Sequence, residues 1–155
     1  MKAINLTIDS TAQNKVEQFI DSVFEDFRIS DNLYGSVLMP VIEFVYLVSD
    51  VKLNAIAEIE KIQLQAYTEP GKMFIEIANQ QRIDFRKVFD KLKEPTAENQ
   101  QLFLINTLSD AIRYSEDGDL ICMEFNLDVD KQLNFSDRGN LLKEYLRTSN
   151  KNIRV

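Results

Sequence analysis

Glu43 has the most unusual setting for chemistry in this 155-residue chain. It is a carboxylate inside the apolar run Val37–Val48. Burying it unpaired would be costly, so its side chain either faces a cleft or meets a partner. In a cleft it could act as a general base. A partly exposed or paired structural glutamate is the expectation, because perturbed carboxylates often belong to structural networks. Gln80 and Gln81, together with Asn99, Gln100 and Gln101, make an amide-rich set that could hydrogen-bond a small polar ligand. The simpler expectation for them is a solvated loop and a helix cap.

The chain has no histidine, which excludes Ser-His-Asp and Cys-His catalysis and removes the commonest transition-metal ligand. Its one cysteine, Cys122, cannot form an internal disulfide, which suits a reducing, cytoplasmic location. Cys122 falls in an alternating apolar stretch, where packing is expected rather than reactivity. The net charge of −7 disfavours nucleic acid or an anionic membrane as partner. Pro40 and Glu43 interrupt the longest apolar run, so no membrane span is expected. The N-terminus has no signal-peptide pattern.

The elements that would position these residues follow from periodicity. Ala3–Ile8 alternates as a strand. Ser10 and Gln13 match a capping box ahead of a helix carrying Val16, Phe19, Ile20, Val23, Phe24 and Phe27 as one apolar stripe. Ser30–Asp31 is the expected start of a central, mostly apolar helix running to about Ser49, with a kink or late start at Pro40. Alternation from Ile62 to Tyr67 and from Met73 to Ile77, around Pro70–Gly71, predicts a hairpin. Asp84 is positioned to cap a short helix with Phe85, Val88, Phe89 and Leu92, stopped at Lys93–Glu94–Pro95.

A helix beginning at Thr96 is expected to pack Leu104, Ile105, Leu108, Ala111 and Ile112. A short strand, the Asp117–Gly118 turn and a strand over Leu120–Leu127 follow. That last strand places Ile121, Met123, Phe125 and Leu127 on one face. Beyond it, Ser136 could cap a terminal helix holding Leu141, Leu142, Tyr145 and Leu146. The tail is locally basic, and its charges are expected to form a solvated helix face. The order β-α-α-β-β-α-α-β-β predicts an α+β two-layer sandwich, a mixed, mainly antiparallel sheet with helices on one face. One domain spans 1–128, and a C-terminal tail with a short helix spans 129–155.

The element order, IQLQAYTEPGKMFIEIANQQ and QLFLINTLSDAIRYSEDGDLICMEFNL resemble the Bergerat-fold (GHKL) ATPases over roughly residues 3–128. The closest likeness is to bacterial anti-sigma-factor serine kinases. The resemblance implies the histidine-kinase-type ATPase fold. It also implies where a nucleotide site would lie, and the residues there depart from the family pattern. Glu43 fits the acidic position, but Leu47 stands where the magnesium-binding Asn belongs and offers no oxygen to a hard cation. Asn79 stands in place of the adenine-binding Asp, and Gln81 and Ile83 in place of two glycines. Asn99–Gln100–Gln101 replaces the glycine-rich phosphate turn.

No catalytic, cofactor-binding or metal residue is therefore expected, and no cofactor. The resemblance implies a non-catalytic regulatory module with a protein partner: a sigma factor, an antagonist or a signalling protein. It implies a homodimer as a further arrangement. An ATP-dependent anti-sigma serine kinase with divergent motifs and Glu43 as base is the alternative.

Overall fold

The computed structural model describes residues 1–91 and 105–127. The strands are β1 (Lys2–Thr7), β2 (Lys61–Glu69), β3 (Lys72–Asn79), β4 (Ala111–Tyr114) and β5 (Leu120–Asn126). The helices are α1 (Ala12–Asp26), α2 (Tyr34–Leu53) and α3 (Phe85–Asp90), with a 3-10 turn over Asp31–Leu33 before α2. Residues 105–108 are also helical. The five strands form one sheet in the order β1-β2-β3-β5-β4, and each neighbouring pair is antiparallel. The fold is an α+β two-layer sandwich.

Strand alternation separates two faces of the sheet. Leu6, Ile62, Leu64, Met73, Ile75, Ile77, Ile121, Met123 and Phe125 point inward and are buried. They join one core with the apolar stripe of α1, with α2, and with Phe85, Val88, Phe89 and Ile105. All described helices thus contribute to the same face. On the other face, Tyr67 and Phe74 stack with ring centroids 5.0 Å apart. Phe74 is buried but is not part of the core cluster.

The β2–β3 hairpin closes as its turn residues require. Glu69 pairs with Lys72 across Pro70 and Gly71. Proline fixes a negative φ, and Gly71 supplies the positive φ of 74° that follows. α2 contains Pro40 in its interior and continues through it to Leu53, four residues beyond Ser49. Ser30 starts the 3-10 turn by accepting from the Asn32 N–H, and α2 itself begins at Tyr34.

Three local expectations are corrected. The Ser10/Gln13 capping box does not form: α1 begins after Thr11, without a side-chain cap. Asp9 instead accepts from the Thr11 N–H at 2.8 Å and its hydroxyl at 2.5 Å, a local turn that captures the chain before Ser10 can cap. Ala111 and Ile112 lie on β4, not on a helix. Helical residues end at 108, and Ala111 and Ile112 pair with Glu124 and Met123. Asp110 secures the change of course: its N–H donates to the Glu124 carbonyl at 2.8 Å and its carboxylate accepts from the Asn126 N–H at 2.7 Å. Leu127 lies one residue beyond β5, although it still packs against the core. The expected helix start at Thr96, Leu92, Lys93–Pro95, Leu104, the Asn99–Gln101 turn, and the 129–155 tail with its Ser136 helix lie outside the described residues.

Candidate functional site

The region implied by the Bergerat resemblance brings together α2, the end of β3, α3 and the β4–β5 turn. Glu43 and Leu47 sit one turn apart in α2, and both are 0% exposed. Glu43 is thus fully buried rather than partly exposed, and its carboxylate is not open to solvent. Beside it, the Phe44 ring meets Phe85 at 5.0 Å and Phe89 at 5.3 Å, edge to face in both cases. Phe85 and Phe89 stack at 5.8 Å. Aromatic side chains therefore fill the junction of α2 and α3.

Asn79, the last residue of β3, is 4% exposed, and its side chain is committed to the backbone. Its amide oxygen accepts from the Ile83 N–H at 2.9 Å, and its amide nitrogen donates to the Ile83 carbonyl at 2.9 Å. The same nitrogen lies 3.5 Å from the Asp119 carbonyl. The positive φ of this turn falls on Arg82, at 57°, so Ile83 avoids the left-handed conformation its branched side chain disfavours. Gln80 and Gln81 are exposed, as a solvated loop requires.

α3 is anchored to the β4–β5 turn by a second set of contacts. Asp84 caps α3 by accepting from the Arg86 N–H at 2.9 Å. Burial pushes the Asp84 carboxyl up, but the Arg86 hydrogen bonds and charge outweigh it and hold the group below its ordinary value. The Phe85 N–H donates to the Gly118 carbonyl at 2.9 Å. The Arg86 guanidinium donates to the Glu116 carbonyl at 3.3 Å and lies 5.4 Å from the Tyr114 ring centroid. Gly118 has a positive φ of 74°, and a Cβ there would fall 2.0 Å from the Asp84 carboxylate. Asp84 and the Asp117–Gly118 turn were each legible as local signals; their mutual contact was not.

Two surface features had no motif to announce them. A cavity of about 120 Å³ at the start of α1 is lined in part by Asp9, Gln13, Val16, Tyr46 and Ser49. The Tyr46 hydroxyl donates to Gln13 across it at 2.6 Å. A more open groove of about 520 Å³ is lined by Asp21, Phe24, Glu25, Asp31 and Tyr34. The Tyr34 hydroxyl donates to Asp21. Burial, then that hydrogen bond, pushes the Tyr34 hydroxyl up to about 12.

Among the described residues no group of three or more histidine, cysteine, aspartate or glutamate side chains is placed to hold a metal ion. No described helix is long and apolar enough to cross a membrane. No family model matches the chain, and no curated protein matches it in sequence.

Proposed function

We propose that this chain is a non-catalytic module of ATPase-like fold that regulates by binding another protein. The observation that carries this reading is the engagement of Asn79. At the position where the resemblance implies adenine recognition, both ends of the side-chain amide are bonded to Ile83. Leu47 at the implied metal position and the Phe44–Phe85–Phe89 packing support the same reading. A buried polar group already satisfied by backbone must give up those bonds to meet a ligand.

The partner class is a sigma factor, an antagonist of one, or a signalling protein in a bacterial partner-switching pathway in the cytoplasm; a homodimer is a further arrangement. The net charge of −7 argues against nucleic acid. The test pairs two measurements on the purified chain. Co-elution with a purified sigma factor or antagonist from the same genome is expected, without transfer of radiolabelled phosphate from ATP. Phosphate transfer to the antagonist, lost in Glu43→Gln, would replace this reading with that of a serine kinase using Glu43 as general base.

A further inference from the structure

The sheet ends at β1 on one side and at β4 on the other. β4 is four residues long and carries Arg113, and short, charged edges discourage pairing. β1 is built differently. It runs six residues, Lys2–Thr7, in unbroken register with β2 and without proline. Its one charged side chain, Lys2, stands at its start and is paired with Asp26 of α1.

The direction of each backbone group on β1 follows from one hydrogen bond. Continuing the β1–β2 register by one step sets Ile8 opposite Glu60, and the Ile8 N–H donates to the Glu60 carbonyl at 2.7 Å. In an antiparallel ladder, residues that bond across alternate with residues that do not. Lys2, Ile4 and Leu6 therefore bond to β2, while Ala3, Asn5 and Thr7 turn their N–H and C=O groups to the open edge. The Thr7 carbonyl is taken by the Asp9 N–H at 3.0 Å. Among the described residues, nothing bonds to the outward groups of Ala3 and Asn5, and both residues are exposed. Ile4, between them on the core face, packs against the core but stays half-buried.

We propose that β1 is a dimer interface, in which two copies of the chain pair antiparallel, β1 to β1, about a two-fold axis at Ile4. In this register Ala3 of one copy faces Asn5 of the other. Each such pair exchanges both N–H···O=C bonds, so every outward group of Ala3 and Asn5 is used. A register centred on Asn5 would instead set Ala3 opposite Thr7, whose carbonyl Asp9 already occupies. At the axis the two Ile4 side chains form a non-hydrogen-bonded pair, the closer kind, and each covers the other's exposed half. The same patch serves both copies, so the contact closes at two. The sheet then runs on through the dimer and loses its longer open edge. This interface rests on the geometry of β1 and not on the regulatory reading. Its test uses neither ATP nor another protein, so either can fail alone.

Sedimentation equilibrium of the full chain is compared with that of Asn5→Pro and Asn5→Ala. Proline removes the outward N–H at position 5 and no bond to β2, a placement that edge strands accept. Alanine keeps that N–H. The parent and Asn5→Ala are expected to dimerise reversibly between micromolar and millimolar chain. Asn5→Pro is expected to stay monomeric with unchanged far-ultraviolet circular dichroism. Amide hydrogen exchange in the parent gives a second reading that needs no variant. The Ala3 and Asn5 N–H groups should slow about tenfold from dilute to concentrated protein, while those of Ile4 and Leu6, bonded to β2, change less. A parent that is monomeric at millimolar chain would overturn the proposal. So would a folded Asn5→Pro that still dimerises, equal loss of the dimer in both variants, or Ala3 and Asn5 amides whose exchange is indifferent to concentration.

Discussion

Asn79 and Ile83 are joined by two hydrogen bonds through one side chain, the amide oxygen and nitrogen each 2.9 Å from a backbone atom of Ile83. This pair fixes the turn between β3 and α3 in the absence of the two glycines that the Bergerat pattern would place there. Asn79→Ala leaves the part-buried Ile83 N–H and C=O without this partner, at about 1–2 kcal/mol. Denaturant titration is expected to show the midpoint falling by that free energy with an unchanged slope. A neutral substitution would mean that the turn holds itself.

Gly118 and Asp84 are too close for a side chain to come between them. Gly118→Ala combines a positive φ of 74° with a Cβ 2.0 Å from the Asp84 carboxylate, and is expected to cost about 3 kcal/mol. Asp84→Ala alone removes the cap of α3, at about 1 kcal/mol. The double variant relieves the overlap, so its cost should be well below the sum of the two. Calorimetric melting of the four proteins measures this coupling, and strict additivity would contradict the contact.

Phe44 holds α2 against α3 through Phe85 and Phe89. Phe44→Ala is expected to destabilise by about 4 kcal/mol, because it empties a fully buried site between two helices. Urea unfolding followed by circular dichroism checks this value. A loss under about 1 kcal/mol would mean that the junction can collapse around the missing ring.

Burial pushes the Tyr34 and Tyr67 hydroxyls up to about 12 from an ordinary 10.0. The Asp21 hydrogen bond adds to burial at Tyr34, and the Cys122 and Glu76 charges add to it at Tyr67. Both folded-state values are raised, so their contribution to stability is whole below about pH 10 and falls as pH rises toward 12. Burial also raises the Cys122 thiol, which adds loss of the same sign from about pH 9 upward. Melting temperatures measured from pH 8 to 11.5 should fall less steeply in Tyr34→Phe/Tyr67→Phe than in the parent. Parallel curves would contradict the raised titration of these hydroxyls.

Elements specified by local chemistry were legible in the sequence. The α1 stripe, the Pro70–Gly71 hairpin and the Asp84 cap each rest on neighbouring residues, and each stands as read. Ala111 and Ile112 were misread because they continue the i, i+3, i+4 spacing of Leu104, Ile105 and Leu108. Their fate depends on pairing with β5, more than ten residues away. The helix was expected to end at about Ser49, but Val51 is 0% exposed and α2 continues to Leu53. The candidate site was located only through the Bergerat resemblance, from Leu47, Asn79, Gln81 and Ile83 standing where that family's pattern has other residues. The Asn79–Ile83 clasp was not legible, because it needs the turn geometry set by Arg82.

Thermal melting with magnesium and ATP tests the proposed non-catalytic reading most directly. A ligand held only by the folded state at one hundred times its Kd adds about 2.7 kcal/mol. In a domain of this size that raises the melting temperature by roughly 5–10 °C. The account predicts no shift and no calorimetric heat at millimolar Mg–ATP, with Leu47→Asn likewise silent because Asn79 remains engaged with Ile83. A saturable upward shift in the parent chain that requires both magnesium and ATP would contradict it.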